Sequence, residues 1–192
     1  MRTVTPRGSS LDFALLGLLH QEPHSGYDLR KAFTASPLAH FSDSPGAIYP
    51  ALLRLRKRGW IEPVPGEGVS GRGRQPFRLT PPGRRALLGW LRTEPARSEV
   101  VADVDALILR FAFMSQALSV AEMVRFLRSL RAVVGAYVVE LEQFLKTAGP
   151  HMGLSGLLAF ESGIEGFRGY LRWAKRAEKR LRTGGHVTRR GS

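Results

Sequence analysis

The sequence contains no cysteine, and this absence excludes disulfide scaffolds, thiolate zinc sites and cysteine nucleophiles. No apolar run approaches the ~18 residues that a membrane-spanning helix needs. The five histidines have no metal-ligand spacing with one another or with carboxylates. The common catalytic and nucleotide-binding motifs are also missing. We therefore expect no enzyme, no catalytic residue, no metal site and no cofactor.

Acidic residues are few, 16 against 29 lysines and arginines, and the formal net charge is +13. Such an excess favours a polyanionic partner, with nucleic acid first and an anionic membrane surface second. The charge is uneven, because residues 1–94, 95–167 and 168–192 carry net charges of +7, −2 and +8. The hydrophobic content of 43% is enough for folded cores.

An apolar run at residues 13–19, with arginines upstream, imitates a signal peptide. An aspartate borders this run, however, and no small-residue cleavage site follows it. We therefore expect a soluble cytoplasmic protein without a membrane partner.

Three short helices are predicted in the first 60 residues. Ser9 or Ser10 can cap a helix that runs to about Gln21, and Ser25 can cap a second helix. The third helix is the one most relevant to function, because its two faces differ strongly in character.

In this third helix, Ile48, Leu52 and Leu55 recur at helical spacing, and the remaining surface is polar and basic. Such a helix suits the major groove of DNA, although an ordinary solvated surface helix has the same pattern. Pro50 lacks an N–H and disfavours a helical residue before it. We therefore predict a bent or late helix start between residues 45 and 51.

After Gly59, which can end the third helix, the pattern changes to short strands at residues 60–64 and 75–79. A glycine-rich turn joins the strands, and the hairpin contains three arginines within seven residues. A solvated hairpin has no need of these arginines, whereas a wing that lies along phosphates does. Thr80 can cap a fourth helix. The order of elements predicts a winged helix-turn-helix with a two-stranded wing.

Four short motifs stand within residues 11–94: Leu16-Gly17-Leu18-Leu19, Ser25-Gly26-Tyr27-Asp28-Leu29, Ser44-Pro45-Gly46-Ala47-Ile48-Tyr49-Pro50 and Gly71-Arg72-Gly73-Arg74. In order and spacing they resemble the PadR family of bacterial winged-helix transcriptional regulators. The resemblance implies that the helix from Ser44 is the recognition helix and that the hairpin is the wing. Pro76 and Phe77 depart from the family pattern, which commonly has two tyrosines there, and Leu53 stands where a polar residue is usual.

The expected partner is double-stranded DNA. We expect the recognition helix to approach base edges and phosphates, and the wing arginines to bind phosphates. The candidate DNA-binding residues are Tyr27, Ser44, Pro45, Gly46, Ala47, Tyr49, Arg54, Arg72, Arg74 and Arg78.

The second half is predicted to be helical. Residues 103–118 form one helix with an apolar face, and Ser119 with Glu122 has capping-box spacing for the next helix. Apolar residues then recur in an unbroken 3-4 pattern, and a last long helix from Leu157 repeats it. Two long helices with a short turn predict an antiparallel hairpin.

The two apolar seams of this hairpin can face each other alone or pack against a second copy. Seven apolar residues lie off the seam and would leave apolar area exposed in the first case, so a homodimer is expected. They are Phe126, Val133, Val138, Leu158, Tyr170, Trp173 and Leu181. The resemblance to the PadR family likewise implies a C-terminal dimerisation domain. The candidate dimerisation residues are Leu127, Leu130, Val134, Tyr137, Leu141, Phe160, Ile164, Phe167, Leu171 and Trp173.

A pocket for a small hydrophobic or aromatic effector, between the two halves, is a further hypothesis, although the same aromatics can equally belong to the core. Its candidate lining residues are Phe13, Phe111, Tyr137 and Trp173. The basic stretch 168–182 can be a solvated dimer face, a source of added phosphate contacts or a membrane-surface helix.

The predicted fold is mainly α, with an N-terminal winged helix-turn-helix and a C-terminal long-helix dimerisation domain. The predicted divisions are a flexible arm at 1–8, a DNA-binding domain at 9–94, a linker at 95–102, a dimerisation domain at 103–182 and a disordered tail at 183–192. The predicted function is a homodimeric, sequence-specific repressor that binds a pseudo-palindromic operator. The alternatives are an activator of the same fold and a basic membrane-surface or scaffold protein.

Overall fold

The computed structural model describes residues 8–35, 45–65 and 75–184. The chain divides into two compact units, residues 1–93 with 108–117 and residues 94–107 with 118–192. The predicted arm and tail fall almost wholly outside the described residues. Both therefore stay predictions, as do the predicted domain boundaries.

Two helices open the first unit, and the sequence predicts their starts correctly. Helix α1 spans Ser10–Gln21 and helix α2 spans Gly26–Thr34. Ser9 and Ser25 are the N-caps, and each hydroxyl accepts a hydrogen bond from the backbone N–H three residues on. The aspartate at that position accepts in return from the N–H of the cap, which completes a capping box in both helices.

Two further helices follow in the same unit. A 3-10 turn at Pro45–Ala47 leads into helix α3, which spans Ile48–Lys57. Helix α4 spans Pro81–Leu91, and the Thr80 hydroxyl caps it by accepting from the N–H of Gly83 at 3.2 Å. The predicted cap of the fourth helix is thereby confirmed.

A three-stranded antiparallel sheet accompanies these helices. One strand lies between α1 and α2 in the sequence, and two lie between α3 and α4. Strands β2, Ile61–Pro63, and β3, Pro76–Leu79, confirm the two predicted strands. A two-residue strand β1, His24–Ser25, pairs with the other edge of β3 and gives the order β1-β3-β2. Strand β1 is not predictable from the sequence, because two residues are too few to show alternation. The mainly α, winged helix-turn-helix fold is confirmed.

Apolar side chains from all four helices build the core of this unit. Phe13 stacks on Trp90, with ring centroids 4.8 Å apart. Other fully buried side chains are Leu15, Leu16, Leu29, Phe33, Ile48, Leu55, Ile61, Leu87 and Leu91. At Gly83, an added Cβ would lie 1.9 Å from the backbone oxygen of Trp60. The start of α4 therefore needs glycine to pack against the segment that follows α3.

Helix α5 spans Arg97–Ala112. It therefore begins and ends about six residues before the helix predicted at 103–118. Its first turns include residues 97–102 of the predicted linker. The helix is interrupted at Asp103, whose backbone is extended (φ −167°, ψ 87°). The Asp103 carboxylate accepts from the N–H of Ala106 at 3.1 Å, as an N-cap does. A helical segment therefore restarts where the sequence predicts a helix start.

Two long helices dominate the second unit. Helix α6 spans Val120–Ala148 and helix α7 spans Leu154–Arg182, with a short 3-10 turn between them. Ser119 and Glu122 form the predicted capping box at the start of α6. Helix α7 begins three residues before the predicted Leu157.

Helices α6 and α7 pack antiparallel along the predicted seam. The seam residues that are fully buried in the single chain are Leu127, Leu130, Val134 and Ile164. Further along, Tyr137 meets Phe167 edge-on at 5.1 Å, and Phe144 lies 5.3 Å from Phe160. The predicted helical hairpin is confirmed.

A cluster of charges ties the end of α7 to the first half of α6. Glu178 is buried and accepts hydrogen bonds from Arg128 at 2.9 Å, Arg131 at 3.0 Å and Arg182 at 2.6 Å. The pKa of the Glu178 carboxyl is lowered from its usual value, chiefly by the hydrogen bond from Arg128. The charge of Arg128 and the contact with Arg131 lower it further, and burial opposes them.

Candidate nucleic-acid interface

Helix α3 begins irregularly, as its prolines predict. The 3-10 turn covers Pro45–Ala47, and the α-helix starts only at Ile48. Pro50 therefore lies in the first helical turn, where backbone N–H groups have no partner within the helix and a missing N–H is tolerated. Ala47 is helical (φ −71°, ψ −21°) and supplies no side-chain cap. The predicted late start is confirmed.

The other end of α3 is closed by its glycine. Gly59 has φ +65°, a left-handed conformation that glycine adopts without strain. Its N–H donates to the Arg56 carbonyl at 2.9 Å, and the N–H of Trp60 donates to the Leu55 carbonyl at 3.0 Å. These two bonds form a Schellman motif, so the predicted stop is confirmed.

The two faces of α3 differ as the sequence predicts. The residues on its buried face are Ile48, Ala51, Leu52 and Leu55. On the outer face, Tyr49 is 50% exposed and Leu53 is 59% exposed. Arg54, Arg56 and Lys57 are exposed as well. The outer face thus combines two apolar side chains with a basic C-terminal half.

An ion-pair cluster joins the outer face of α3 to the start of α1. Asp12 is buried, and its carboxylate accepts from the N–H of Ser9 at 3.2 Å. The same carboxylate meets Arg54 Nη2 at 2.9 Å and Arg58 Nη1 at 3.5 Å. Arg58 also lies over the Trp60 ring, 5.0 Å from its centroid. Asp12 therefore fixes the position of α3 while it completes the cap of α1.

A surface groove of about 340 Å³ runs along this outer face of α3. We call it the α3 groove. Its lining residues are Ser25, Gly26, Tyr27, Tyr49, Leu52, Leu53, Arg56, Gln75 and Phe77. Helix α2 approaches α3 closely here, because a Cβ on Gly26 would lie 2.8 Å from the Tyr49 ring. Among the described residues that line the groove, Arg56 alone carries a charge, and most of the others are apolar or aromatic.

These elements match one known family. Residues 15–88 match the family model of the PadR-like transcriptional regulators. Residues 15–88 are thus similar to a PadR-like domain, and they are called by that name below.

Three solved structures of PadR-like regulators resemble the chain at low identity. A PadR-like transcriptional regulator from Bacillus cereus is 20% identical, with a TM-score of 0.41, over 93% of this chain and 99% of that one. Bacillus subtilis PadR in complex with operator DNA is 23% identical, with a TM-score of 0.40, over 89% of this chain and 98% of that one. Bacillus subtilis PadR in complex with p-coumaric acid is 22% identical, with a TM-score of 0.41, over 90% and 95%. No curated protein matches the chain.

Several of the predicted DNA-binding residues lie in described parts of the PadR-like domain. Tyr27 and Tyr49 line the α3 groove, and Tyr27 also lies 5.7 Å from the guanidinium of Arg30. Pro45 is in the 3-10 turn together with Gly46 and Ala47, and of these two Gly46 is exposed and Ala47 is half-buried. The start of the predicted recognition helix is thus open at its glycine.

The arginines of the PadR-like domain are less uniform. Arg78 on β3 pairs with Glu62 on β2 at 2.8 Å, and Arg54 pairs with Asp12. Both arginines therefore form an ion pair within the chain, and neither pair is predictable from the sequence. The remaining predicted DNA-binding residues, which lie outside the described residues and stay predictions, are Ser44, Arg72 and Arg74.

The predicted effector-pocket residues have different surroundings. Phe13 is fully buried against Trp90, inside the core of the first unit. Phe111, Tyr137 and Trp173 are half-buried, and Tyr137 has the guanidinium of Arg97 5.4 Å from its ring. The effector pocket stays a prediction.

The predicted dimerisation residues, all outside the PadR-like domain, fall into two groups by burial. Leu127, Leu130, Val134 and Ile164 are buried within the single chain, so their side chains pack in the core of the helical hairpin. The half-buried members are Tyr137, Leu141, Phe160, Phe167, Leu171 and Trp173.

Two residues used to infer a dimer are not exposed. Phe126 is 5% exposed and Val138 is 6% exposed in the single chain. The expectation that one chain would leave them uncovered is wrong, because the heptad pattern does not reveal how much of α6 the rest of the chain covers.

Within residues 8–35, 45–65 and 75–184, no group of three or more histidine, aspartate or glutamate side chains is placed to bind a metal ion. The same residues contain no helix both long and apolar enough to cross a membrane.

Proposed function

We propose that this protein is a sequence-specific DNA-binding transcriptional regulator that acts as a homodimer and represses its target genes. The observation that carries the proposal is the outer face of α3 in a PadR-like domain. Tyr49 and Leu53 are exposed there, Arg56 and Lys57 follow them, and a Schellman motif closes the C-terminal end of the helix. A helix with such a face fits the major groove of B-DNA.

Charge supports the choice of partner. The net charge of +13 favours a polyanion, and neutralising phosphates releases counterions, which drives association. The wing arginines Arg72 and Arg74 are proposed to supply such contacts, together with the basic end of α3. These contacts hold the protein on the duplex, and base contacts from α3 select the sequence.

A cluster of exposed apolar residues supports a homodimer. At the end of the hairpin where α6 stops and α7 begins, Phe144 is 51%, Leu154 72% and Leu158 54% exposed. Val139 on α6 is 51% exposed too. A second copy is the simplest cover for such a surface. A two-fold dimer would present two α3 helices to half-sites one helical turn, or a multiple of it, apart.

Repression is proposed because occupying a promoter needs no further surface on the protein. An activator of the same fold needs a contact with the transcription machinery, and reporter assays with the operator upstream of a promoter separate the two. A small hydrophobic or aromatic effector that releases the DNA completes the proposal, and p-coumaric acid is a suitable first probe. The role places the protein in the cytoplasm.

The structure gives less support to a membrane-surface role for α7. A membrane-surface helix needs a free apolar face on its basic segment. Ala174 is 1% exposed, and the buried Glu178 one turn later is held by arginines of α6. The basic side chains of this segment, among them Arg176 and Lys179, then form a solvated face.

Selection of bound fragments from the source genome tests the proposal directly. We expect recovery of one short, pseudo-palindromic sequence. Replacing Arg72 and Arg74 by alanine is expected to weaken binding equally for all sequences and to lower the slope of log K against log salt by about 2. The matched control replaces Arg176 and Arg180, which lie outside the PadR-like domain, and its slope should match the wild type. Recovery of random fragments would contradict sequence-specific binding.

Sedimentation equilibrium tests the homodimer. We expect a mass about twice the 21.2 kDa of the chain. Introducing glutamate at Phe144 and Leu158 should give monomers, because two charges would be buried in the interface. Glutamate at Val120, which is 48% exposed at the other end of α6, should leave the mass unchanged. A wild-type monomer at micromolar concentration would contradict the proposed dimer.

A further inference from the structure

The centre of the outer face of α3 is apolar, so it cannot contact DNA bases through side-chain hydrogen bonds from Leu53. Leu53 has no polar side-chain atom, yet it is 59% exposed in the middle of the helix. Tyr49 precedes it by four residues, so both side chains lie on one helical face. A single exposed leucine is ordinary on a protein surface. Leu53, however, continues into a formed apolar surface.

That surface is the α3 groove. Tyr27 and Phe77 line it together with Tyr49 and Leu53, and they come from α2 and β3. Leu52, which is 4% exposed, closes its floor. The groove therefore has walls from three elements, and Leu53 is exposed along one of them.

The surroundings of the groove indicate its occupant. Arg56 lines it from the same helix, and Lys57 extends the positive charge toward the C-terminal end of α3. An apolar surface within a basic helix face suits a ligand that is anionic at its edge and apolar at its contact point. In the major groove of DNA, thymine is the base that presents a methyl group, at C5, between two phosphate backbones.

We infer that Leu53, supported by Tyr49, is a specificity-determining residue that contacts the C5-methyl groups of thymines in the operator. The inference rests on the proposed function, since it requires α3 to bind the major groove. The side chain of Leu53 discriminates by apolar contact alone, so it favours thymine over cytosine at its position without a hydrogen bond to either base.

Replacing single thymines of the selected operator by deoxyuridine tests this inference. The exchange removes one methyl group and leaves every hydrogen-bonding atom of the base unchanged. Burying a methyl-sized group corresponds to about a fourfold change in affinity. We expect a loss of about this size at one or two thymines in each half-site and no change at the others.

Leu53→Ala assigns the effect to its residue. We expect this variant to bind thymine and deoxyuridine operators equally at the sensitive positions, because the contacting side chain is gone. Val120→Ala removes an exposed apolar side chain (48% exposed) from the start of α6, outside the PadR-like domain and away from the proposed dimer surface, and should keep the fourfold discrimination. Circular dichroism checks that both variants are folded, which the exposure of both side chains leads us to expect.

The outcomes separate the two proposals. Specific binding with equal affinity for all deoxyuridine operators overturns the thymine contact and leaves the proposed function standing. Discrimination that persists in Leu53→Ala also overturns it, since another residue must then read the methyl group. Failure to select any specific sequence overturns the proposed function, and the thymine contact with it.

Discussion

Removing the carboxylate of Asp12 should destabilise the first unit more than its place in a capping box suggests. The side chain is 2% exposed and belongs to two structures at once. It caps the N-terminus of α1 by accepting from the N–H of Ser9, and it pairs with Arg54 and Arg58 from α3. Asp12→Ala removes both functions, whereas Asp12→Asn removes the charge and keeps an acceptor for the cap.

The magnitude follows from adding the two parts. Loss of an N-terminal cap costs about 1 kcal/mol. A hydrogen bond to a charged group contributes about 1.5–3 kcal/mol, and the lower end applies because the Arg54 side chain is 47% exposed and can be solvated again. Asp12→Ala should therefore lower the free energy of unfolding by about 2–3 kcal/mol, and Asp12→Asn by about 1.5 kcal/mol. Ser9→Ala, the control for the cap alone, should cost about 1 kcal/mol.

Urea unfolding followed by tryptophan fluorescence measures these differences, because Trp60 and Trp90 both lie in the first unit. With a urea dependence of about 2 kcal/mol per molar, Asp12→Ala should shift the midpoint by about 1 M. A double-mutant cycle of Asp12→Ala with Arg54→Ala should show a coupling above about 0.5 kcal/mol. Additive single effects, or an Asp12→Ala variant within about 0.5 kcal/mol of wild type, would refute the linking role of Asp12.

Three other substitutions test separate features of the structure. Gly83→Ala should cost about 2–3 kcal/mol in urea unfolding, because its Cβ meets the rigid backbone of Trp60 at 1.9 Å. Glu178→Gln should be less stable than the wild type at pH 7. The difference in the free energy of unfolding should disappear as the pH falls from about 4.5 through the lowered pKa of Glu178, because the wild type then loses the same charge. A difference of constant size from pH 7 to 3 would contradict this. Burial and the hydrogen bond to Asp105 raise the pKa of Tyr170 to about 12, so Tyr170→Phe should remove a step near pH 12 from an ultraviolet titration of the tyrosines. The stability that this tyrosine contributes below pH 10 should disappear as the pH rises toward 12.

Local chemistry explains which parts of the fold are predictable. Serine caps followed by an acidic residue three positions later, the proline-induced late start of α3 and the glycine at its end all depend on neighbours within a few residues. The structure confirms each of them. The heptad spacing of α6 likewise predicts which of its residues face α7, because periodicity alone decides the face of a helix.

The features that the sequence does not reveal depend on contacts between distant segments. Asp12 and Arg54 are 42 residues apart, and their pairing becomes visible only once α1 and α3 are packed. The same holds for β1, which exists because β3 offers its free edge to residues that the sequence marks only as a helix cap. The coverage of Phe126 is a third case, since burial by other segments leaves no periodic signal.

The pairing of Arg54 changes the expected division of labour along α3. If Arg54 moved to a phosphate, the buried Asp12 carboxylate would lose its nearer cationic partner and keep only Arg58, at 3.5 Å. Arg54 is therefore better suited to holding the helix in place than to binding DNA, and its replacement should reduce stability while leaving the salt slope unchanged. Base selection on the described part of α3 then falls to Tyr49 and Leu53, two exposed residues with uncharged side chains at the centre of the helix. Specificity would accordingly depend on apolar contacts at the centre of the helix, and affinity on the basic residues around it.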